Sequence, residues 1–144
     1  LEVRLLGAIP VVKSRGVETS LAEAYRYLAE LPLAPDAILG NPDLHWRMTE
    51  DGGAEVRLET RVGTARVLFR FDAQGDIVTM EARERPARDA EGRPVRYDWR
   101  GRYGEYAQVG ERRLPSYAEV GYVYPDGYEI YFRGRIRDYK TVRQ

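Results

Sequence analysis

Residues 20–31, SLAEAYRYLAEL, decide the fold because they are the one stretch whose pattern predicts a substantial α-helix. Ser20 and Glu23 have the spacing of a capping box, in which each side chain bonds a free backbone N–H at the helix start. Pro32 ends the helical run, because proline has no backbone N–H to donate and its ring clashes with the preceding turn. One apolar face is formed by residues at helical spacing: Leu21, Ala24, Tyr25, Leu28 and Leu31.

Burial of this apolar face stabilises the helix more than intrinsic helix propensity does. Each large side chain contributes about 1.5–3 kcal/mol when it is buried against a sheet. A helix this short is marginal on its own in water. Arg26 and Glu30 lie one turn apart and are expected on the solvated side. The helix therefore needs a sheet to pack against.

From Leu44 onward, apolar and polar residues alternate with a period of two, which predicts β-strands separated by glycine-containing hairpin turns. In several of these stretches one face is apolar and the other charged, which is typical of an antiparallel sheet covered on one side. Two further short strands broken at Gly7, or one bent strand, are expected before the helix. The predicted strands are residues 1–6, 9–14, 44–50, 54–62, 64–72, 77–85, 95–109, 112–124 and 127–142.

Turns and glycines complete the predicted fold. Pro35 suits the first position of a short helical turn, and Gly40 suits its left-handed exit. Residues 86–94, PARDAEGRP, have no apolar anchor and predict an exposed, mobile loop. Four glycines inside the later strands predict bulges or sharp bends, as a curling sheet would need: Gly101, Gly104, Gly121 and Gly134.

The expected fold class is α+β, with an antiparallel β-meander curled into a half-barrel around one main α-helix. At 144 residues the chain has the length of one domain. We interpret residues 1–144 as a single domain. The chain begins without methionine, so we expect it to be the C-terminal part of a longer protein.

Composition argues against several classes of function. The charges of the 23 basic and 23 acidic residues cancel, so no net electrostatic field favours binding to nucleic acid or to an anionic membrane. The absence of cysteine excludes disulfides, thiolate metal sites and a cysteine nucleophile. No apolar run approaches the roughly 20 residues that span a bilayer. We expect no cofactor and no nucleic-acid partner, and membrane association only through a missing upstream segment.

Residues with catalytic potential do not form a recognisable motif. His45 is the only histidine, and a lone histidine needs partners to make a metal site or a triad. No phosphate loop, dinucleotide fingerprint or GxSxG elbow occurs. The candidate general acids and bases are ordinary carboxylates of the kind that chance supplies: Glu30, Asp98, Glu105 and Glu119. We predict that the protein is not an enzyme, with a hydrolase-like enzyme as the less favoured alternative.

The C-terminal run alternates arginine with tyrosine, which has the appearance of a single-strand nucleic-acid platform. The residues are Tyr131, Arg133, Arg135, Arg137 and Tyr139. Acidic neighbours and the zero net charge argue against this function. Arginine on the solvated face of a strand is the commoner explanation.

Aromatic residues give the remaining indication of function, with eleven tyrosines, two tryptophans and three phenylalanines. Aromatic side chains in strands mostly belong to the core. A curved sheet over a single helix nevertheless tends to leave a concave apolar gap, which is where small molecules bind. The predicted ligand-binding residues are Tyr25, Leu28, Trp46, Phe69, Phe71, Tyr122 and Phe132.

Several phrases of the sequence resemble a family of uncharacterised bacterial proteins known only as a domain of unknown function. They include LLGAIPV, RYLAELPLAPDAIL, VLFRFDAQGDIV and YDWRGRYGEYAQVGERRLPSYAEV, and the resemblance covers essentially the whole chain. Members of that family tend to be longer, and their N-terminal part often includes a membrane segment. The resemblance therefore implies a membrane-anchored or extracytoplasmic location for the full-length protein.

The stretch YGEYAQVGERRLP, followed by a long strand hairpin, is also similar to the lipoprotein-localisation-factor superfamily. Its members fold an antiparallel half-barrel around helices and carry acyl chains inside. This second resemblance implies a carrier-like fold and an apolar ligand, although one strong helix is expected here where that superfamily has several.

We therefore predict a non-enzymatic binding module for an apolar ligand or a lipidated partner, in an envelope-associated role. The alternative is a structural or protein-interaction domain with a filled core. If residues 1–6 lie at a sheet edge with few partners, two chains are expected to pair there as a homodimer.

Overall fold

The computed structural model describes residues 17–139 of the chain. Within that range the chain forms one α-helix, two short 3₁₀ turns and seven β-strands. Helix α1 is Val17–Glu30, and the 3₁₀ turns Leu31–Leu33 and Pro35–Ala37 follow it. The strands are β1 (Leu44–Met48), β2 (Ala54–Thr60), β3 (Gly63–Phe71), β4 (Ile77–Arg88), β5 (Pro94–Val109), β6 (Arg112–Tyr124) and β7 (Gly127–Arg135).

The seven strands form one antiparallel sheet in which each strand pairs with its neighbours in sequence, in the order β1-β2-β3-β4-β5-β6-β7. No ladder joins β1 to β7 in the described part of the chain, so the sheet is not closed into a barrel. The predicted α+β fold, an antiparallel meander forming a half-barrel around one helix, is confirmed.

Helix α1 packs across β2, β3 and β4 and buries the apolar face that the sequence predicts. The buried residues of this helical face are Leu21, Ala24, Tyr25, Leu28 and Leu31. The facing core residues of the sheet include Val56, Val67, Phe69, Met80 and Trp99. Arg26 and Glu30 stay on the solvated side and form an ion pair with an N–O distance of 2.7 Å. The predicted orientation of the helix is therefore confirmed.

Two polar contacts tie the C-terminal end of α1 and the turns after it to the later strands. The Tyr103 hydroxyl of β5 donates to the carbonyl oxygen of Ala29 at 2.5 Å. Burial raises the pKa of Tyr103 well above its usual value, so this hydroxyl keeps its proton. Arg112 of β6 forms a two-pronged ion pair with Asp36, with N–O distances of 3.0 Å and 2.6 Å. These contacts hold the helix end over the sheet.

Register shifts in the strands bend the sheet, and one of them lies at Gly121, where the sequence predicts a bulge or a sharp bend. The β6–β7 register shifts between Val120 and Gly121, where a Cβ atom on the glycine would collide with the carbonyl group of Glu129. The β4–β5 register shifts between Ala82 and Arg85 with no glycine involved. Bulges increase local twist and bend the strand that carries them.

The helix begins three residues earlier than predicted. Because α1 starts at Val17, Ser20 lies inside the helix and the predicted capping box at its start is wrong. The physical reason is visible in the sequence, since Val17 extends the helical spacing of the apolar positions Leu21, Ala24 and Leu28 by one turn.

The predicted loop over residues 86–94 is too long, because residues 86–88 belong to β4, residue 94 begins β5, and only residues 89–93 form the hairpin turn between them. The Asp89 carboxylate accepts hydrogen bonds from the backbone N–H groups of Glu91 and Arg93, at 3.0 Å and 2.8 Å. Gly92 takes the left-handed conformation with φ 78°. An aspartate that bonds the backbone two residues on is a common turn former. The strands therefore extend to the turn.

Other predicted turns are found at their expected places. Pro35 begins a 3₁₀ turn, and Gly40 has a left-handed φ of 68°. The predicted strands at residues 1–6 and 9–14, and the edge pairing expected there, lie outside the described residues. The last strand ends at Arg135, earlier than the sequence alternation predicts.

Candidate functional site

The space directly beneath α1 is filled with side chains. Of the predicted ligand-binding residues, Tyr25, Leu28 and Phe69 lie in this packed core, and both Leu28 and Phe69 are fully shielded from solvent. Neither of the two clefts described below borders Leu28 or Phe69. These three residues therefore belong to the packed core between helix and sheet, at the place where the sequence analysis expected a gap.

Two other predicted residues, Trp46 and Phe71, border neither cleft. Trp46 is on the edge strand β1, 40% exposed, and its ring stacks on Phe69 with centroids 6.1 Å apart. Phe71 is 39% exposed at the end of β3, just after the register shift between Arg70 and Phe71. The structure does not bring these two residues together with Tyr122 or Phe132.

An open cleft lies beside α1, between the flank of the helix and the inner face of β4 to β7. We call it the apolar cleft, and its volume is about 450 Å³. Its apolar lining includes Ala29, Leu33, Met80, Trp99, Tyr103, Ala118, Val120, Tyr131, Phe132 and Ile136. Its polar lining includes Glu23, Arg26, Glu30, Arg85, Glu119 and Arg135. Of the predicted ligand-binding residues, only Phe132 lines it.

Strand register explains how the floor of the apolar cleft is assembled. Met80, Gly101, Val120 and Phe132 are paired in one row across β4, β5, β6 and β7. Side chains in such a row point to the same face of the sheet. An added Cβ atom on Gly101 would lie 3.0 Å from the methyl carbon of Met80, so the glycine leaves room for that side chain.

A second cleft lies at the other end of the helix flank, and its described lining includes three arginines and one glutamate. We call it the basic cleft, and its volume is about 690 Å³. Tyr122, the last of the predicted ligand-binding residues, borders it. The lining is Leu21, Ala22, Glu23, Val62, Arg85, Pro86, Ala87, Arg88, Pro94, Val95, Arg96 and Tyr122.

Arg85 borders both clefts and is the residue that sequence reasoning missed. Its guanidinium carbon lies 4.5 Å from the ring centroid of Trp99 and 5.5 Å from that of Tyr122. Nη1 donates to the Tyr122 hydroxyl, and Nη2 donates weakly to the carbonyl oxygen of Ala22 at 3.4 Å. The buried Nε has no hydrogen-bond partner among the described residues.

Alternation along β4 would predict the wrong orientation for this arginine. Met80 and Ala82 are buried, so Glu84 would be expected on the same inner face and Arg85 on the outer face. The bulge between Ala82 and Arg85 reverses the alternation, with Glu84 at a φ of 49°. Since no glycine marks this bulge, the sequence contains no signal for it.

Aromatic rings form a connected wall around Arg85. The Trp99 indole Nε1 donates to the Tyr131 hydroxyl at 3.0 Å. The Tyr122 and Tyr131 rings stack, with centroids 5.2 Å apart and an interplanar angle of 23°. These contacts restrict the rotamers of the side chains that separate the two clefts.

The candidate acid and base residues are dispersed. Glu30 pairs with Arg26, and Asp98 is exposed and accepts the backbone N–H of Glu84. The Arg135 guanidinium holds the pKa of Glu105 below its usual value. The Tyr117 hydroxyl, followed by Arg133, lowers the pKa of Glu119. Three of the four candidate carboxylates form ion pairs with arginine: Arg26–Glu30, Arg133–Glu119 and Arg135–Glu105.

Metal-ligating side chains do not converge within residues 17–139, where no group of three or more histidine, cysteine, aspartate or glutamate residues is found. His45 is exposed on β1. No helix in the same range has the length and hydropathy needed to cross a membrane.

Comparison with known proteins gives a family and no further relative. Searches of curated proteins and of solved structures find no significant match. The resemblance to the lipoprotein-localisation-factor superfamily is therefore not confirmed. A protein-family model described as a family of unknown function, DUF6544, matches residues 1–134. Because this match covers most of the chain and agrees with the resemblance seen in the sequence, the chain belongs to the DUF6544 family of unknown function.

Proposed function

We propose that this domain is a non-enzymatic binding module whose apolar cleft holds an apolar ligand or the lipid chain of a lipidated partner. The observation that carries the proposal is the cleft itself, with a volume of about 450 Å³ and a floor of apolar and aromatic side chains. Pockets for small molecules have volumes of about 300–1,000 Å³ and similar linings. An envelope-associated role follows from this ligand class, since acyl chains and lipidated proteins reside at membranes.

Exposed apolar side chains in the cleft support the proposal energetically. Phe132 is 36% exposed and Tyr131 is 54% exposed, although both lie beside other apolar residues. Each Å² of apolar surface removed from water contributes about 25 cal/mol. An acyl chain that covers the floor would therefore gain this free energy without displacing any core residue.

The walls of the cleft are held before any ligand arrives. Tyr103 is fixed by its hydrogen bond to Ala29, and Trp99 by its hydrogen bond to Tyr131. A site whose side chains are already ordered loses less conformational entropy on binding. The ordered side chains favour a preformed binding site over an apolar surface with no binding function.

A filled core beneath the helix favours the second candidate, a protein-interaction domain, as do the edge strands of the sheet within residues 17–139. The edge strands β1 and β7 expose Met48 and Tyr131, with relative exposures of 68% and 54%. An exposed edge strand offers unpaired backbone groups to another chain. Under this alternative, two copies pair as a homodimer, which a size measurement over a range of concentrations would detect.

The experiment that tests the binding function blocks the cleft. Ala118 lies in the cleft, paired with Tyr103 and Gly134, so Ala118→Trp places an indole where the ligand would lie. Ala107→Trp on the exposed part of β5 is the matched control. Decanoate should displace an environment-sensitive dye from the native protein and from Ala107→Trp.

In Ala118→Trp, decanoate binding should weaken at least about tenfold, which corresponds to about 1.4 kcal/mol. Backbone amide shifts should change for residues around the cleft and not for those of β1. Absence of saturable binding by the native protein would refute the binding function and leave the interaction domain in its place. Equal affinities in the two variants would refute the location of the site.

A further inference from the structure

We propose that the ligand is a single-chain amphiphile with an anionic head, of which a fatty carboxylate is the simplest, and that Arg85 binds the head while the chain lies in the apolar cleft. This inference rests on the proposed binding function and adds the chemical class of the ligand to it. Three features of the structure support it: the unneutralised charge of Arg85, the bulge that holds it inward, and the meeting of the two clefts at this residue.

Arg85 is a partly buried cation without an acidic partner in the described part of the chain. Its contacts are the rings of Trp99 and Tyr122, the Tyr122 hydroxyl and the backbone carbonyls of Pro86 and Ala22. A charge taken from water is costly unless it is paired and hydrogen-bonded. Cation–π contacts offset part of that cost. An anion would supply the pairing that these contacts lack.

The hydrogen-bonding capacity of Arg85 is only partly used. Nε is buried and has no acceptor, and the bonds to Pro86 and Ala22 are long, at 3.5 Å and 3.4 Å. The Nε and Nη2 edge of a guanidinium is a fork that matches the two oxygens of a carboxylate. A bound carboxylate would displace the Ala22 carbonyl from Nη2 and replace that weak bond with a charge-assisted one, and the second bond to the buried Nε requires the guanidinium to turn towards the ligand.

A strained backbone keeps Arg85 on the inner face of the sheet. Glu84 has a φ of 49°, a conformation that non-glycine residues rarely adopt. Its N–H donates to the Asp98 carboxylate at 3.1 Å, and its carbonyl accepts from Arg96 at 3.1 Å. Strain of this kind persists only where surrounding contacts hold it, and it concentrates at functional sites.

The position of Arg85 between the clefts determines where the two ends of the ligand lie. On one side is the apolar floor with Trp99 and Phe132. On the other side, the described lining of the basic cleft includes the guanidinium groups of Arg85 and Arg96 and the carboxylate of Glu23. The charge on this side favours an anion, and the apolar side favours a chain. A neutral lipid would leave the guanidinium unpaired, and a small anion would leave the floor uncovered.

The test compares ligands that differ in one part. Decanoate, decanol and acetate are titrated against the native protein at pH 8, with affinities measured by dye displacement and calorimetry. We expect decanoate to bind at least about tenfold more tightly than decanol, since hydrogen bonds to charged groups are the stronger ones. Acetate should not displace the dye at matched concentrations.

The variants Arg85→Gln and Arg57→Gln test whether Arg85 is the residue that makes decanoate bind more tightly than decanol. Arg57 is exposed on β2 and borders neither cleft, so it serves as the matched control. Arg85→Gln should reduce decanoate binding to the level of decanol, whereas Arg57→Gln should leave the affinity for decanoate as it is in the native protein.

Each result distinguishes this inference from the proposal beneath it. If decanoate and decanol bind the native protein equally and Ala118→Trp blocks both, the binding function stands and the anionic head is refuted. If neither binds, the binding function itself fails. If acetate competes with decanoate, the site is for small anions and the amphiphile is refuted. The comparison of ligands on the native protein decides the matter even if Arg85→Gln does not fold.

Discussion

Leu28→Asp should unfold the domain, because it places a carboxylate at the centre of the helix–sheet contact. Leu28 has no solvent exposure and lies in the same core cluster as Phe69 and Val56. Truncating a buried leucine to alanine alone costs about 2–5 kcal/mol. An unpaired carboxylate adds a desolvation cost of several kcal/mol to that. The sum is comparable with the whole stability of a typical domain, about 5–15 kcal/mol.

Arg26→Asp is the matched control on the same helix. The Arg26 side chain is 58% exposed, and its ion pair with Glu30 is of the surface type that contributes about 0.3–0.5 kcal/mol. The substitution adds a charge near Glu30, so its expected cost is about 1 kcal/mol or less. The helix itself should remain in place.

Thermal melts followed by circular dichroism compare the two variants at pH 7. Leu28→Asp should show no cooperative transition, and Arg26→Asp should melt within a few degrees of the native protein. Acid should partly rescue Leu28→Asp, because protonation removes the buried charge. Equal shifts in the two variants would refute the assignment of the buried helix face.

Two further outcomes follow from the strands and their turns. Gly121→Ala should destabilise the protein by about 1–3 kcal/mol in urea titrations, because the added Cβ atom would collide with the backbone of Glu129. Gly104→Ala is the control, since no atom lies within 4 Å of the added Cβ atom, and its effect on stability should be small. The Thr49 hydroxyl and Arg70 lower the pKa of Asp51 from 3.8 to about 2. Its carboxylate therefore stabilises the fold above about pH 4 and loses that effect as the pH falls towards 2, so Asp51→Asn should lower the melting temperature at pH 7 and not at pH 2.

Local sequence patterns predict most of this fold because they act over one element at a time. The 3.6-residue spacing of Leu21, Tyr25 and Leu28 specifies which helix face is buried, and the two-residue alternation specifies the strands. The antiparallel order follows from hairpin turns short enough to join neighbours only. The boundaries of β2 and β6 agree with the sequence to within two residues at each end.

Apart from Phe132 and Tyr122, the residues that line the two clefts were not predicted to bind a ligand, because the clefts depend on how separate elements pack together. Alternation along each strand places Phe69 and Met80 on the inner face, but no local pattern specifies which strands the helix covers. The structure places α1 on β2, β3 and β4, which leaves the inner face of the later strands open. Arg85 reaches that face only through a bulge at Glu84 that has no glycine to mark it.

The purely sequential order of the strands also has a consequence for the speed of folding. Within residues 17–139, every ladder joins strands that are consecutive in the chain, so this sheet can assemble as a series of hairpins, each of which closes in about 1–10 μs. Helix α1 is the exception, because it precedes the sheet and contacts β4, a distant strand in the sequence. Closing that long loop costs more chain entropy than closing any hairpin. We therefore expect docking of the helix to limit the rate, so that substitutions of Leu28 to smaller apolar residues slow folding more than equally destabilising substitutions in the β6–β7 hairpin.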